Sequence, residues 1–172
     1  ATDAGHEGAS AYLGFALLQG KGVVKDISRA RNLLSVVAEA KGDTFAMLQL
    51  ARSYRRELTD SPDPALAEQW YRRAFAAGEF NAYVALAYMY SKGEFELTQI
   101  AANERSFALL KEALDAGAES AYARLAYAHL AGIGTAVNYD KAFALYGSGV
   151  ELGQAQSFTG VAHMFEAGLG RP

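Results

Sequence analysis

The chain has 172 residues, enough for a sizeable core, and 51% of them are apolar. Lys and Arg number 16 against 19 Asp and Glu, so the net charge is −3 and no global field favours nucleic acid or an anionic membrane. Cysteine is absent, which excludes a disulfide framework and a thiolate metal site, and no apolar run approaches the roughly 18 residues of a membrane span.

Only three prolines interrupt long Ala-, Leu- and Tyr-rich runs, which predicts helices. The first run, GASAYLGFALLQ, leads through the corner GKGVVKD into a second run opening at Asp26. Gly42 starts a third run, and Asp63-Pro64 opens a fourth. Gly78 starts a fifth, which passes through a long corner, GEFELTQIAANERS, into a sixth. Gly117 starts a seventh, Asn138 opens an eighth, and Gly153 starts a ninth that stops in GLGRP, residues 168–172. Asp and Asn accept hydrogen bonds from free N–H groups of a helix start, and Pro fits just inside one.

These runs repeat. The glycines Gly5, Gly42, Gly78, Gly117 and Gly153 stand 37, 36, 39 and 36 residues apart. Four residues after each comes a small residue: Ala9, Ala46, Ala82, Ala121, Ser157. Eight after comes an aliphatic, namely Leu13, Leu50, Leu86, Leu125 or Val161, followed by Gly14, Ala51, Ala87, Ala126 or Ala162. Twelve after sits Leu17, Tyr54, Tyr90, His129 or Phe165. This spacing keeps the set on one helix face, where the small residues admit a close neighbour. The second helix of each unit carries Ala30, Ala67, Ser106 or Ala142. Bulky pairs follow: Leu33-Leu34, Trp70-Tyr71, Leu109-Leu110, Leu145-Tyr146. Each second helix is expected to end on the next glycine in a left-handed cap. The units run approximately over 5–41, 42–77, 78–116 and 117–152, with a half unit at 153–172, all in one repeat domain.

With these words in place, the chain resembles the Sel1-like repeat family. GASAYLGFALLQGKGVVKDISRA and GDTFAMLQLARSY joined to DPALAEQWYRRAFAAG match its pattern, and the period of 36 or more is unlike the 34 of the tetratricopeptide repeat. The resemblance implies an all-α fold: a right-handed α-solenoid of antiparallel helix pairs with about nine helices. Two corners depart from the pattern. ELTDSPDPA lacks glycine, and GEFELTQIAANERS is three residues longer; each is expected to reshape a loop or the local twist. The half unit implies a slice of a longer bacterial repeat protein, or self-association through the exposed C-terminal half repeat. Family habit favours a bacterial periplasmic or cell-envelope setting over the cytoplasm.

Solenoids of this class bind in a groove lined by the first helix of each unit. The position ten after each repeat glycine is expected to face it: Phe15, Arg52, Tyr88, Tyr127 and His163. Tyr12, Gln19, Gln49, Arg55, Arg56, Lys92 and Arg124 are expected nearby. Arg and Tyr combine contact area with hydrogen bonding, as binding hot spots do, and the stripe suits an extended or helical peptide with a preference for acidic ones. The competing reading of the same residues is local packing plus solvated charge.

No chemistry-bearing motif accompanies the repeats. His6, His129 and His163 form no close ligand pair, and His129 reads as a packed, hydrogen-bonded core residue. Gly20-x-Gly22, Gly132-x-Gly134 and Gly168-x-Gly170 follow helices and lack the third glycine of a dinucleotide loop. Glu68, Glu104, Glu112 and Asp115 are spread over outer surfaces, and nothing nominates an acid–base pair. The expectation is a non-catalytic interaction scaffold with no cofactor and no metal, which binds a protein or peptide and neither nucleic acid nor a membrane interior. The alternative is a carbohydrate-binding module of an exopolysaccharide secretion system, its rings at Tyr12, Phe15, Tyr88 and Tyr127.

Overall fold

A computed structural model describes the backbone of residues 4–170 and the side chains of residues 9–170. The side chain of His6 and the Arg171-Pro172 end of the last corner lie outside the described residues. Among the described residues the chain is all-α, with nine α-helices and one short 3-10 helix. It divides into two compact units, residues 1–82 and 83–172.

The first unit holds α1 (Ala4–Gln19), α2 (Ile27–Lys41), α3 (Thr44–Ser53) and α4 (Pro64–Ala76). Successive helices pack together, and α1 also touches α3. The starts follow from side-chain caps. Asp26 accepts from the Arg29 N–H, Asp43 from Ala46 and Asp63 from Leu66, with Pro64 just inside α4. Gly42 ends α2 at φ +67°, a left-handed angle that costs other residues about 1–2 kcal/mol. Arg31 of α2 ties this unit across: its Nη2 donates to the Ser53 carbonyl at 2.6 Å, and its guanidinium lies 4.0 Å from the Tyr54 ring centre. No spacing rule on either helix pointed to that clamp.

The second unit holds α5 (Asn81–Ser91), α6 (Gln99–Asp115), the 3-10 turn Glu119–Ala121, α7 (Tyr122–Ala131), α8 (Tyr139–Glu151) and α9 (Ala155–Glu166). Here α7 packs on α6, α8 and α9, and α8 on α9. Thr98 caps α6 and Asn138 caps α8. The buried Ser106 hydroxyl donates to the Ala87 carbonyl at 2.9 Å, joining α6 to α5.

The small-aliphatic-small pattern is buried wherever a repeat has neighbours. Ala46, Leu50 and Ala51, then Ala82, Leu86 and Ala87, then Ala121, Leu125 and Ala126 are all sealed. At the two ends the rule relaxes: Ala9, Leu13, Ala162 and Phe165 are exposed, since no further helix lies over them among the described residues.

Three of the corners share one closure, and the longer third corner instead bonds the Glu94 N–H to the Met89 carbonyl at 3.2 Å. The cap residue's N–H donates back to the carbonyl nine residues earlier: Asp26 to Leu17 at 3.1 Å, Asp63 to Tyr54 at 2.8 Å and Asn138 to His129 at 2.8 Å. The glycine-free second corner therefore closes like the first and the fourth. It does so by short turns, with Arg55 N–H on Arg52 and Leu58 N–H on Arg55, and needs no positive φ. The fourth corner is the tight one. Gly134 sits at φ +69°, and a Cβ there would meet the Asn103 carbonyl.

Candidate functional site

In the second unit five helices contribute to one open cavity of about 420 Å³. From α5 and the residue that follows it come Ala87, Tyr88, Ser91 and Lys92. From α6 come Ser106, Phe107 and Leu110, and from α7 Ala123, Arg124, Tyr127 and Ala128. Ile133 of the corner, Tyr146 of α8 and Gln156 of α9 complete it. Its rim is polar and exposed at Ser91, Lys92, Arg124 and Gln156, while Leu110, Ala123, Ala128 and Tyr146 are buried. An apolar floor under a polar rim is the usual build of a binding surface.

The rim is organised around one ring. Lys92 Nζ lies 5.3 Å and Arg124 Cζ 5.4 Å from the Tyr88 centroid. The negative face of an aromatic ring attracts cations at such distances. Lys92 stands just past the end of α5, its N–H donating to the Tyr88 carbonyl at 3.0 Å, and Arg124 reaches over from α7. Tyr127 is 55% exposed beside them. Below, burial first and then the neighbouring Tyr127 push the Tyr146 phenol above its usual value, so it stays a neutral hydroxyl at neutral pH.

The sequence-predicted site residues divide into three groups. Tyr88, Lys92, Arg124 and Tyr127 are brought together at this cavity. His163 is exposed on α9 but is not part of the lining. The remainder belong to the first unit. There Phe45 packs edge-on against Phe15, with centroids 5.8 Å apart, and lies tilted against the exposed Tyr12 at 5.2 Å. Arg52, Arg56 and Gln19 are exposed. Two residues depart from the open face expected of them. Gln49 is 6% exposed and its Oε1 accepts from Arg52 at 3.4 Å. Arg55 is 8% exposed and pairs with Glu57 at 3.2 Å. It follows the end of α3, where the chain has left the helical path, so the helical period no longer tells which way it points.

Phe107, Ile133 and Gln156 were missed by sequence reasoning. They come from a second helix, a corner and the last helix, and only the packing of those elements brings them beside the α5–α7 stripe. Phe107 is the lone aromatic of α6, and nothing in the spacing of that helix singles it out.

His129 adjoins a different cavity of about 500 Å³ with Phe107, Thr135, Lys141 and Ser148 among its walls. Its ring meets Phe107 edge-on at 5.3 Å and donates a hydrogen bond to the Ala136 carbonyl. Its buried Nδ1 has no hydrogen-bond partner among the described residues. Burial, with Lys141 nearby, holds its pKa below the ordinary histidine value, so it is a neutral packed ring. Among the described residues no cluster of three or more His, Asp or Glu is placed to hold a metal, and no helix is long and apolar enough to cross a membrane.

Paired helices recurring every 36 to 39 residues, packed on their neighbours within each compact unit, define a helical-repeat protein of the α-solenoid class. Within that class the Sel1 repeat profile matches residues 8–40, 44–79, 81–117 and 119–154, and the chain belongs to the Sel1 repeat family. A solved Sel1 repeat protein from Oxalobacter formigenes is similar at TM-score 0.74 and 23% identity, over 96% of this chain and 64% of that one. The c5321 protein, a protective antigen present in uropathogenic Escherichia coli strains and displaying an SLR fold, is similar at TM-score 0.45 and 21% identity, over 96% and 42%. The chain thus spans under two thirds of the length of either. No curated protein matches it.

Proposed function

We propose that this chain is a binding scaffold that docks a partner protein through a peptide segment seated in the Tyr88–Tyr127 cavity. Sel1 repeats generally serve as protein-interaction scaffolds, and the observation that carries the reading here is the cavity itself. Tyr88 and Tyr127, equivalent positions 39 residues apart in the repeat register, converge on it with Lys92 and Arg124 beside them, around a space large enough for an apolar side chain. Its work is binding, not turnover. The peptide reading is preferred over carbohydrate because the ring best placed for stacking on a sugar, Tyr88, already carries Lys92 and Arg124 over it.

Panning a displayed peptide library on the native chain tests this. Selected peptides, resynthesised, are expected to bind the native chain and to lose about tenfold or more in affinity on Tyr127→Ala with Gln156→Ala, which truncates an aromatic anchor and a rim amide. Arg105→Glu, exposed and outside the lining, is expected to change little. Selection of no peptide, or unchanged binding to the double variant, overturns the assignment.

A further inference from the structure

The rim of the cavity carries a charge imbalance opposite to that of the chain. The whole sequence has more acidic than basic residues, yet the cavity lining contains Lys92 and Arg124 and no carboxylate. Neither cation has a carboxylate within ion-pair reach among the described residues. Some cations elsewhere do have carboxylate partners: Arg72 meets Glu68, Lys111 meets Asp115 and Arg55 meets Glu57. Two like charges converging on one ring repel each other, and the face of Tyr88 offsets part of that repulsion. Directly beneath lies an apolar floor built from Phe107, Leu110, Ile133 and Tyr146.

We infer that the cavity recognises an acidic side chain next to a bulky apolar one: the carboxylate of an Asp or Glu bridges Lys92 and Arg124, while the adjacent Leu, Ile, Phe or Tyr of the same peptide fills the floor. This rests on the scaffold reading above and specifies its partner. The guanidinium offers a planar fork to a carboxylate and the ammonium a point charge, and both bonds are charge-assisted. Burying the apolar side chain removes water from beside the ion pairs, which strengthens them. The two halves of the motif therefore support each other, and the apolar half alone would leave both cations without an acidic contact. The partner is a peptide and not an acidic sugar, because the floor is lined by aliphatic and aromatic side chains that call for an apolar group beside the charge.

The test uses an array of blocked octapeptides whose two central positions run through every residue pair between Gly-Ser flanks, probed with the full chain. Asp or Glu beside Leu, Ile, Phe or Tyr is expected to give the strongest binding. Replacing the acid by Asn or Gln should cost about fivefold or more, and raising the salt from 50 to 500 mM should weaken the acidic pairs selectively, since ion pairs at the rim are screened. The double variant Lys92→Glu with Arg124→Glu should transfer the preference to Lys- or Arg-containing pairs. Both residues are exposed, and the acid-to-amide exchange in the peptide needs no variant at all. Binding that does not distinguish Asp from Asn overturns the acidic-apolar motif and leaves the scaffold reading standing. An array without any binding spot overturns both.

Discussion

Single residues set the tolerances of this fold. Gly134 and Gly22 both have left-handed backbone angles, at φ +69° and +76°, but only Gly134 is crowded. A Cβ at Gly22 would meet nothing within 4 Å, and one at Gly134 would run into the Asn103 backbone and Phe107. Gly22→Ala is expected to cost about 1–2 kcal/mol from backbone strain alone. Gly134→Ala adds overpacking and should cost about 2–5 kcal/mol; urea melts of the two variants give the comparison. His129 makes stability depend on pH. Its folded pKa lies below the ordinary value, so the unfolded chain takes up the proton first as pH falls. Its contribution is complete above about 6.5 and declines as pH drops through that value toward the lower folded one. The native melting temperature should therefore fall between pH 7.5 and 5.5, and His129→Gln, which keeps a donor for Ala136, should flatten that slope.

At the level of helices, most of the architecture is readable from spacing, and the reason is local. A small residue four positions before an aliphatic, with another small residue after it, is a statement about one helix face, and Ala46-Leu50-Ala51 and Ala121-Leu125-Ala126 obey it without reference to anything distant. Caps are equally local, which is why Asp26, Asp63 and Asn138 announce their helices. Contacts between elements are not local. The Arg31 clamp on Ser53, the Leu17–Asp26 closure and the arrival of Phe107 and Gln156 at the cavity depend on how helices cross, which no one-dimensional period encodes. Gln49 and Arg55 show the same limit from the other side: one is buried within α3 and accepts a hydrogen bond from Arg52, and the other lies past the helix end. Trp70 belongs to the readable part. It fills the aromatic slot of α4 at 8% exposure, with Arg73 4.2 Å over its ring. Trp70→Ala should cost about 3–5 kcal/mol in a chemical melt followed by circular dichroism.

For the chain as a whole, repeat architecture makes stability approximately a sum of units and nearest-neighbour interfaces. Trp70 is the sole tryptophan, so its fluorescence reports the first compact unit, whereas circular dichroism reports every helix. Tyr146 is buried on α8 in the core of the second unit, together with Ala126, Ala142 and Met164. Tyr146→Ala is expected to lower the dichroism midpoint more than the fluorescence midpoint; equal shifts would mean that the chain melts as a single block. The seams between helices have a consequence of another kind. Alanines at 0% exposure, such as Ala46, Ala82 and Ala121, let backbones approach so closely that the joint, and not the bulk of neighbouring side chains, determines the spacing. Outward positions are then nearly free to drift under mutation. A frame set in this way tolerates wide exchange of its exterior residues, and the solved Sel1 repeat protein from Oxalobacter formigenes shares the fold at TM-score 0.74 with only 23% identity.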